Sequence, residues 1–204
     1  KIFSEMIENR CAPDVLAMNS LIDMLYKAGR GNEAWKIFYE LKEMNLEPTD
    51  CTYNTLLAGL GREGKVKEVM QLLEGMNSNS FPPNIITYNT VLDCLCKNGE
   101  VNYALGMLYS MTMNGCMPDL SSYNTVMHGL VKEDRFDEAF WMFCQMKKVL
   151  APDYATVCTI LPSFVRSGLM KEALHIVKEY ILQPDSKVDR SSVQSLMEGI
   201  LKRD

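Results

Sequence analysis

The chain has 204 residues, of which 47% are hydrophobic, and its formal net charge is −5 at pH 7. This apolar content is sufficient for a continuous core, yet no apolar run approaches the roughly 18 residues that a membrane helix needs, so we expect no membrane partner. The negative charge argues against a non-specific nucleic-acid binder, because such proteins carry an excess of Lys and Arg.

Taken in chain order, the sequence repeats one motif with a period of about 35 residues. Residues 1–14 are the end of a repeat, and residues 190–204 begin another. Because the chain starts in the middle of a repeat, we expect it to be a fragment of a longer protein that forms a single array. The complete repeats between these ends are 15–49, 50–84, 85–119, 120–153 and 154–189.

Each repeat predicts two helices. In repeat 85–119, apolar residues recur at spacings of three and four between Tyr88 and Leu95, and the pair Asn98-Gly99 is a typical helix stop. The same spacing returns in the second half of the repeat, which ends at Pro118-Asp119. A helical hairpin at a fixed period predicts an all-α solenoid, because no single repeat can bury its apolar face without its neighbours.

The apolar side of the first helices includes a column of aromatic residues that we expect in the core rather than at a ligand. Its members are Tyr53, Tyr88 and Tyr123. The pattern weakens in repeat 154–189, where Pro162 falls inside the first helix. We expect Pro162 to kink that helix or shift its start, since proline removes a donor and clashes with the preceding turn.

Nothing in the sequence predicts a cofactor, a metal or catalysis. The seven cysteines are scattered, odd in number and without a C-x-x-C pair, which argues against a disulfide framework or a zinc site. His128 and His175 lack a metal-ligand partner in helical register. No Ser/His/Asp set, phosphate loop or carboxylate pair recurs, so we expect a protein that is not an enzyme.

Three columns of polar residues recur at fixed positions. A basic column stands near the end of each first helix, either to contact phosphate or to offset the helix dipole: Lys27, Arg62, Lys97, Lys132, Arg166 and Lys202. An amide column stands in the first helices although Asn is a mediocre helix former: Asn19, Asn54, Asn89 and Asn124, followed by Cys158. A closing column consists of good helix caps: Thr49, Asn84, Asp119, Asp153 and Asp189.

The amide column has two interpretations. The amides either tie neighbouring repeats together or recognise bases, because an amide both donates and accepts and therefore suits a pyrimidine edge. The acidic residues collect mainly in second helices and loops. The first helices are therefore predicted to present a basic line on an otherwise acidic protein.

The sequence resembles the pentatricopeptide repeat proteins of the plain class, without appended C-terminal modules. The resemblance rests on TYNT at Thr52–Thr55 and Thr87–Thr90, SYNT at Ser122–Thr125, the GxxxEA element and the Pro-Asp endings. It covers essentially the whole chain. It implies a right-handed superhelix whose first helices line the concave side and bind single-stranded RNA in a plant organelle, the chloroplast or alternatively the mitochondrion.

The resemblance also assigns roles to the columns. The amide and closing residues of one repeat would jointly read one base, a closing Asp accepting from uracil N3–H and a closing Asn donating to cytosine N3. A further column would stack on the bases, more weakly where it is small: Leu16, Cys51, Ile86, Ser121 and Ala155. With the N-terminus towards the RNA 5′ end, the expected core is 5′-Y-C-U-U-N-3′.

Two other classes of function stay open at this point. One is an RNA-processing enzyme whose catalytic module lies outside these 204 residues; the other is a scaffold. A tetratricopeptide-like scaffold for protein partners has the same architecture, and the sequence pI of 5.2 suits it. The amide and basic columns on one face argue against that alternative. Organellar protein partners are compatible with either function.

Overall fold

The computed structural model describes residues 13–78, 81–168 and 170–180. The predicted positions Asp189 and Lys202 lie outside these residues. Within them the chain is helical and contains no strand, so the all-α prediction is confirmed. The helices are α1 (Val15–Lys27), α2 (Gly31–Glu43), α3 (Asp50–Arg62), α4 (Val66–Ser78), α5 (Ile85–Lys97), α6 (Val101–Met113), α7 (Leu120–Lys132), α8 (Phe136–Met146), α9 (Tyr154–Arg166) and α10 (Met170–Tyr180).

The odd-numbered helices are the first helices of the repeats, and the even-numbered ones are the second helices. Packing divides the chain between Asn98 and Gly99 into two compact parts. In the N-terminal part, α3 packs against both α1 and α5; in the C-terminal part, α7 packs against α9. Second helices of consecutive repeats make no comparable backbone contact within either part as described. First helices therefore form the tightly stacked layer of each part.

Four of the five first helices start at a residue whose side chain caps the helix. The backbone N–H of the third helical residue donates to Oδ1 of Asp14 (2.8 Å), Asn84 (3.0 Å), Asp119 (2.8 Å) and Asp153 (2.7 Å). At α3 the Thr49 backbone N–H donates to the Thr52 hydroxyl at 3.0 Å. Capping by the closing column, which its residue types predict, is thus confirmed at Asn84, Asp119 and Asp153.

The first letter of the TYNT motif completes these caps. The hydroxyls of Thr87, Ser122 and Thr156 accept from the backbone N–H of the capping residue three positions earlier, at 3.4, 3.2 and 3.4 Å. These side chains, like that of Thr52, are fully buried. The reciprocal arrangement is a capping box, and it satisfies donors that a helix start otherwise leaves unpaired.

The core of each part lies between first and second helices. Tyr53 and Tyr88 are buried, as the sequence predicts, whereas Tyr123 is half-buried. Contacts between repeats add to this core: Gly59 of α3 lies so close to the buried Tyr26 ring that a Cβ there would be 2.2 Å from Tyr26 Cδ2. The Glu63 carboxylate also accepts from Gly31 N–H at 3.1 Å, at the start of α2.

The expected effect of Pro162 on the helix start is wrong. Helix α9 begins at Tyr154 and has the same 13-residue length as the other first helices. Its start is fixed by the Asp153 capping box, and the buried Val157, Ile160 and Phe164 hold its apolar face. These contacts outweigh the loss of one backbone donor, since Pro162 follows the first two turns of the helix.

The turns between paired helices use a left-handed residue. Gly29, Gly64, Gly99 and Gly168 have φ near +70°, and Asp134 takes the same place with φ of 59°. The left-handed region costs a residue with a Cβ more than it costs glycine. Asp134 therefore occupies an unfavourable conformation in the C-terminal part. None of the described helices is long and apolar enough to cross a membrane.

Candidate nucleic-acid interface

One stripe along each first helix carries most of the predicted site residues. The second, fifth, ninth and thirteenth residues of a 13-residue helix lie within roughly 80° of one another, because 100° per residue brings them to the same side. In α1 they are Leu16, Asn19, Asp23 and Lys27. We call this set of positions in the five first helices the recognition stripe.

The second residue of each first helix, which begins the stripe, is exposed in all five described first helices. Leu16 is 70% exposed and Ile86 63%, although both are large and apolar. The smaller Cys51, Ser121 and Ala155 are also exposed. The expected stacking column is therefore accessible to a ligand, which is necessary for stacking on a base.

The backbone carbonyl of this second residue accepts a hydrogen bond from within its own helix in four of the repeats. Hydroxyls four residues later donate to its carbonyl: Ser20 to Leu16 (2.9 Å), Thr55 to Cys51 (2.7 Å), Thr90 to Ile86 (2.8 Å) and Thr159 to Ala155 (2.9 Å). The last letter of TYNT thus has a structural role. Such back-bonding is usual for Ser and Thr inside helices.

The amide column lies at the edge of the core. Asn19 is 6% exposed, whereas Asn54, Asn89 and Asn124 are half-buried. The Oδ1 atoms of Asn19, Asn54 and Asn124 are buried and accept no hydrogen bond from the described residues. A buried acceptor without a partner costs about 1–3 kcal/mol, and these oxygens are not accessible to a ligand in the rotamers present.

In the C-terminal part the structure brings one predicted base-reading pair together. The side chain of Asn124 lies near the carboxylate of Asp153 and lowers the pKa of that group. Burial by itself would raise the pKa of Asp153, but the hydrogen bonds from Thr156, together with the nearby Asn124 amide, outweigh it and hold that pKa below its ordinary value. An amide of α7 is therefore placed beside the residue that caps α9.

Two further pairs are not joined by a hydrogen bond in the described part of the chain. Among the described residues, Asn19 forms no hydrogen bond to Thr49, and Asn54 forms none to Asn84. Instead Asn84 Nδ2 donates to Asp50 Oδ2 at 3.2 Å. Of the remaining pair, the half-buried Asn89 lies in the N-terminal part and the exposed Asp119 in the C-terminal part.

Cys158 occupies the amide position of α9. It is half-buried and lies near the side chain of Tyr154. Burial raises the pKa of the Cys158 thiol, so the group is a neutral, weak donor. It has neither the donor nor the acceptor strength of the amide in the other repeats.

The basic column is exposed but largely paired with carboxylates. Asp23 binds Lys27 at 2.6 Å and Arg62 at 3.0 Å, Asp93 binds Lys97 at 2.7 Å, and Asp134 binds Arg166 at 2.8 Å. The hydrogen bond from Lys27 is the main reason that the pKa of Asp23 lies below its ordinary value. The line of cations expected on this face is therefore substantially neutralised.

Lys132 is the exception in the described part of the column. It is exposed and has no carboxylate within ion-pair distance there. The ninth residue of its helix, α7, is His128, whereas the ninth residues of α1 and α5 are Asp23 and Asp93. The stripe of α7 is consequently more positive than those of α1 and α5.

Sequence reasoning missed these carboxylates as part of the site. The Asp-to-Lys spacing of four residues in α1 and α5 signals two of the pairs. The bonds of Arg62 to Asp23 and of Arg166 to Asp134 join neighbouring repeats and have no local signal. Among the described residues no group of three or more His, Cys, Asp or Glu side chains is placed to hold a metal ion.

Comparisons with known proteins agree with the repeat geometry. A model of the PPR repeat family matches residues 13–62, 49–97, 83–123 and 118–166. No curated protein matches the sequence. The crystal structure of the pentatricopeptide repeat protein PPR10 from maize is 26% identical over 98% of this chain and 27% of its own, with a TM-score of 0.73.

Two RNA complexes are also similar. PPR10 in complex with an 18-nt psaJ RNA element is 28% identical over 86% of this chain and 26% of its own, with a TM-score of 0.75. The PPR domain of Arabidopsis thaliana PRORP1, in complex with tRNA, is 18% identical over 94% of this chain and all of its own, with a TM-score of 0.68, and shows the fold alone. The chain spans about a quarter of PPR10. Because the family model covers most of the chain, the protein belongs to the PPR repeat family.

Proposed function

We propose that this chain binds single-stranded RNA along the recognition stripe and reads one base per repeat. The observation that supports this most strongly is the exposure of the second residue of each first helix. Leu16 and Ile86 lie on the solvent side of their helices rather than in the core. Exposed apolar side chains next to amides provide both a stacking surface and hydrogen-bonding groups for an unpaired base.

The amide column supports the same proposal. Asn54, Asn89 and Asn124 are partly exposed on the same side of the helices as the stacking residues, and an amide can bond to the imino or amino group of a pyrimidine. The similarity to PPR10, which binds a psaJ RNA element, favours RNA over other ligands. Binding requires no cofactor and no chemical step.

The proposed base order follows from the closing column. Asn54 with Asn84 specifies C, Asn89 with Asp119 specifies U, and Asn124 with Asp153 specifies U. Asn19 with Thr49 specifies either pyrimidine, and Cys158 with Asp189 specifies none. The proposed core is 5′-Y-C-U-U-N-3′, read by a plain-class plant organellar protein in the chloroplast, or alternatively the mitochondrion, that supports stabilisation, processing or translation of RNA.

The test exchanges one closing residue. Asn84→Asp replaces the amide donor that would face cytosine N3 with an acceptor, so selection from a randomised RNA pool should shift the second base from C to U. The structure adds one requirement, because the new carboxylate would face Asp50, which lies 3.2 Å from Asn84 Nδ2. The variant is therefore made together with Asp50→Asn, and Asp50→Asn alone is selected in parallel.

Asn32→Asp is the matched control, since it makes the same chemical change on the exposed side of the second helix α2. It should leave the selected sequence unchanged. The proposal fails if the same second base is enriched before and after the Asn84 exchange. It also fails if no pyrimidine-rich sequence is enriched by the unaltered chain.

A further inference from the structure

The second helix α6 differs from its counterparts in carrying no charged residue over its 13 positions. Its outer side is nevertheless accessible to solvent. Tyr103 is 60% exposed, Tyr109 69% and Met113 69%. A solvent-facing helix normally presents charged and polar side chains, and a cluster of exposed apolar ones marks an interaction surface.

This face continues into a groove between α6 and α8 in the C-terminal part. The groove has a volume of about 640 Å³ and is lined mainly by apolar atoms of Leu105, Leu108, Tyr109, Tyr123, Trp141 and Met142. The exposed Trp141, at 60%, and Tyr109 contribute from opposite helices. The volume lies within the range of about 300–1,000 Å³ that is usual for binding pockets.

The charge of the groove is entirely negative. Asp137 and Glu138 are its ionisable carboxylates, and none of the residues lining it is basic. Arg135 binds Glu138 with two hydrogen bonds of 2.7 Å and thereby neutralises it. Asp137 is exposed and forms no ion pair within the described residues, so one uncompensated carboxylate lies beside two exposed aromatic rings.

The neighbouring groove, between α8 and α10, has the opposite charge. It contains Lys147, Lys171 and His175 and has a volume of about 400 Å³. Lys147 is paired with Glu179 at 3.2 Å, which leaves Lys171 as an exposed cation. The two grooves on either side of α8 therefore differ in the sign of their uncompensated charge.

We propose that the α6–α8 groove binds a peptide segment of a partner protein, in which a Lys or Arg stands beside a large apolar side chain. The apolar side chain would enter the groove between Tyr109 and Trp141, and the cation would lie over their rings and against Asp137. A cation over an aromatic face gains electrostatic energy, and Trp is the most favourable ring for it. Buried Trp and Tyr anchors also dominate the affinity of protein interfaces.

The charge argues against RNA as the occupant. Trp141 and Tyr109 are suitable stacking surfaces for bases, but the phosphates would approach the carboxylate of Asp137 with no cation in the lining. Nucleic-acid affinity depends on cations that neutralise phosphate. RNA and the proposed peptide would therefore occupy different faces of the chain.

The experiment is selection of a random peptide library displayed on phage, using the whole chain as bait. We expect enriched peptides to pair Lys or Arg with an aromatic or aliphatic residue. One enriched peptide is then synthesised with a fluorescent label, and its anisotropy is measured against the unaltered chain and against Asp137→Lys, Tyr109→Ala and Trp141→Ala. Each variant should weaken binding by about tenfold or more.

Lys171→Glu, in the neighbouring groove, is the matched control and should leave peptide affinity unchanged. All altered side chains are exposed, and circular dichroism verifies that helicity is retained. Asp137→Lys leaves both aromatic rings in place and decides the result if an aromatic variant fails to fold. Enriched peptides without a cation, or affinity unaffected by Asp137→Lys, would overturn the proposal. Loss of RNA binding in Trp141→Ala would assign the groove to RNA. Self-association that depends on concentration and is abolished by Trp141→Ala would assign the groove to a second copy of the chain. Either result would also overturn the proposal.

Discussion

The ion pairs along the recognition stripe predict that removing a carboxylate strengthens RNA binding. Asp93→Asn leaves the Lys97 ammonium, now 2.7 Å from the Asp93 carboxylate, free to contact phosphate. Because both side chains are largely exposed, at 72% and 51%, the pair contributes only about 0–1 kcal/mol, so its loss costs the fold little. A gain of up to about 1 kcal/mol in RNA binding corresponds to an affinity increase of about fivefold at most.

The assay is fluorescence anisotropy of a labelled single-stranded RNA that contains the C-U-U core, measured over a series of salt concentrations. Each phosphate that gains a cation steepens the log–log salt dependence by about 0.7, so Asp93→Asn should steepen it by up to that amount. Glu40→Gln makes the same charge change on the exposed face of the second helix α2 and serves as the control. Equal effects of the two variants, or none from Asp93→Asn, would refute the assignment of Lys97 to phosphate.

Three further outcomes are expected. Lys132→Ala should weaken RNA binding more than Lys97→Ala in the same titration, because Lys132 has no competing carboxylate in the described structure; the reverse order would contradict this. Asp153→Asn keeps the cap acceptor but cannot titrate. Since the pKa of Asp153 is depressed in the fold, the stability it contributes is present above its unfolded pKa of roughly 3.9 and is lost as pH falls through its lower folded value. Urea unfolding near neutral pH and at about pH 3 should therefore show a smaller acid destabilisation in the variant. Gly59→Ala places a Cβ 2.2 Å from the buried Tyr26 ring and should lower the free energy of unfolding by about 1–3 kcal/mol; Gly106→Ala, with no atom within 4 Å, is the control and should not be destabilising.

The sequence predicts the helices well because their limits depend on neighbouring residues. A capping residue, a hydroxyl three positions later and a glycine in the turn all act within one repeat, and together they fix α5 at Ile85–Lys97. The exposed and buried sides follow from the same helical period, which places Ile86 in solvent and Tyr88 in the core. The start of α9 was predicted wrongly from Pro162 because a local rule was applied without the cap and the packing that fix that start.

The electrostatics of the stripe are less predictable. Arg62 reaches Asp23 across 39 residues, and Arg166 reaches Asp134 across 32. Which carboxylate meets which cation depends on the angle at which neighbouring first helices stack, and a column of aligned residues does not contain that angle. The charge-free surface of α6 was visible in the sequence, but its groove depends on the separation between α6 and α8.

The capping role of the closing residue has an evolutionary consequence. Asp, Asn and Thr are all helix-capping residues, Asp and Asn more strongly than Thr, and each is found at a closing position here. Under the proposed recognition rule these are also the residues that distinguish one pyrimidine from another. Under that rule an exchange between Asp and Asn would change the preferred base while the cap acceptor is kept, although at Asn84 the neighbouring Asp50 must change as well.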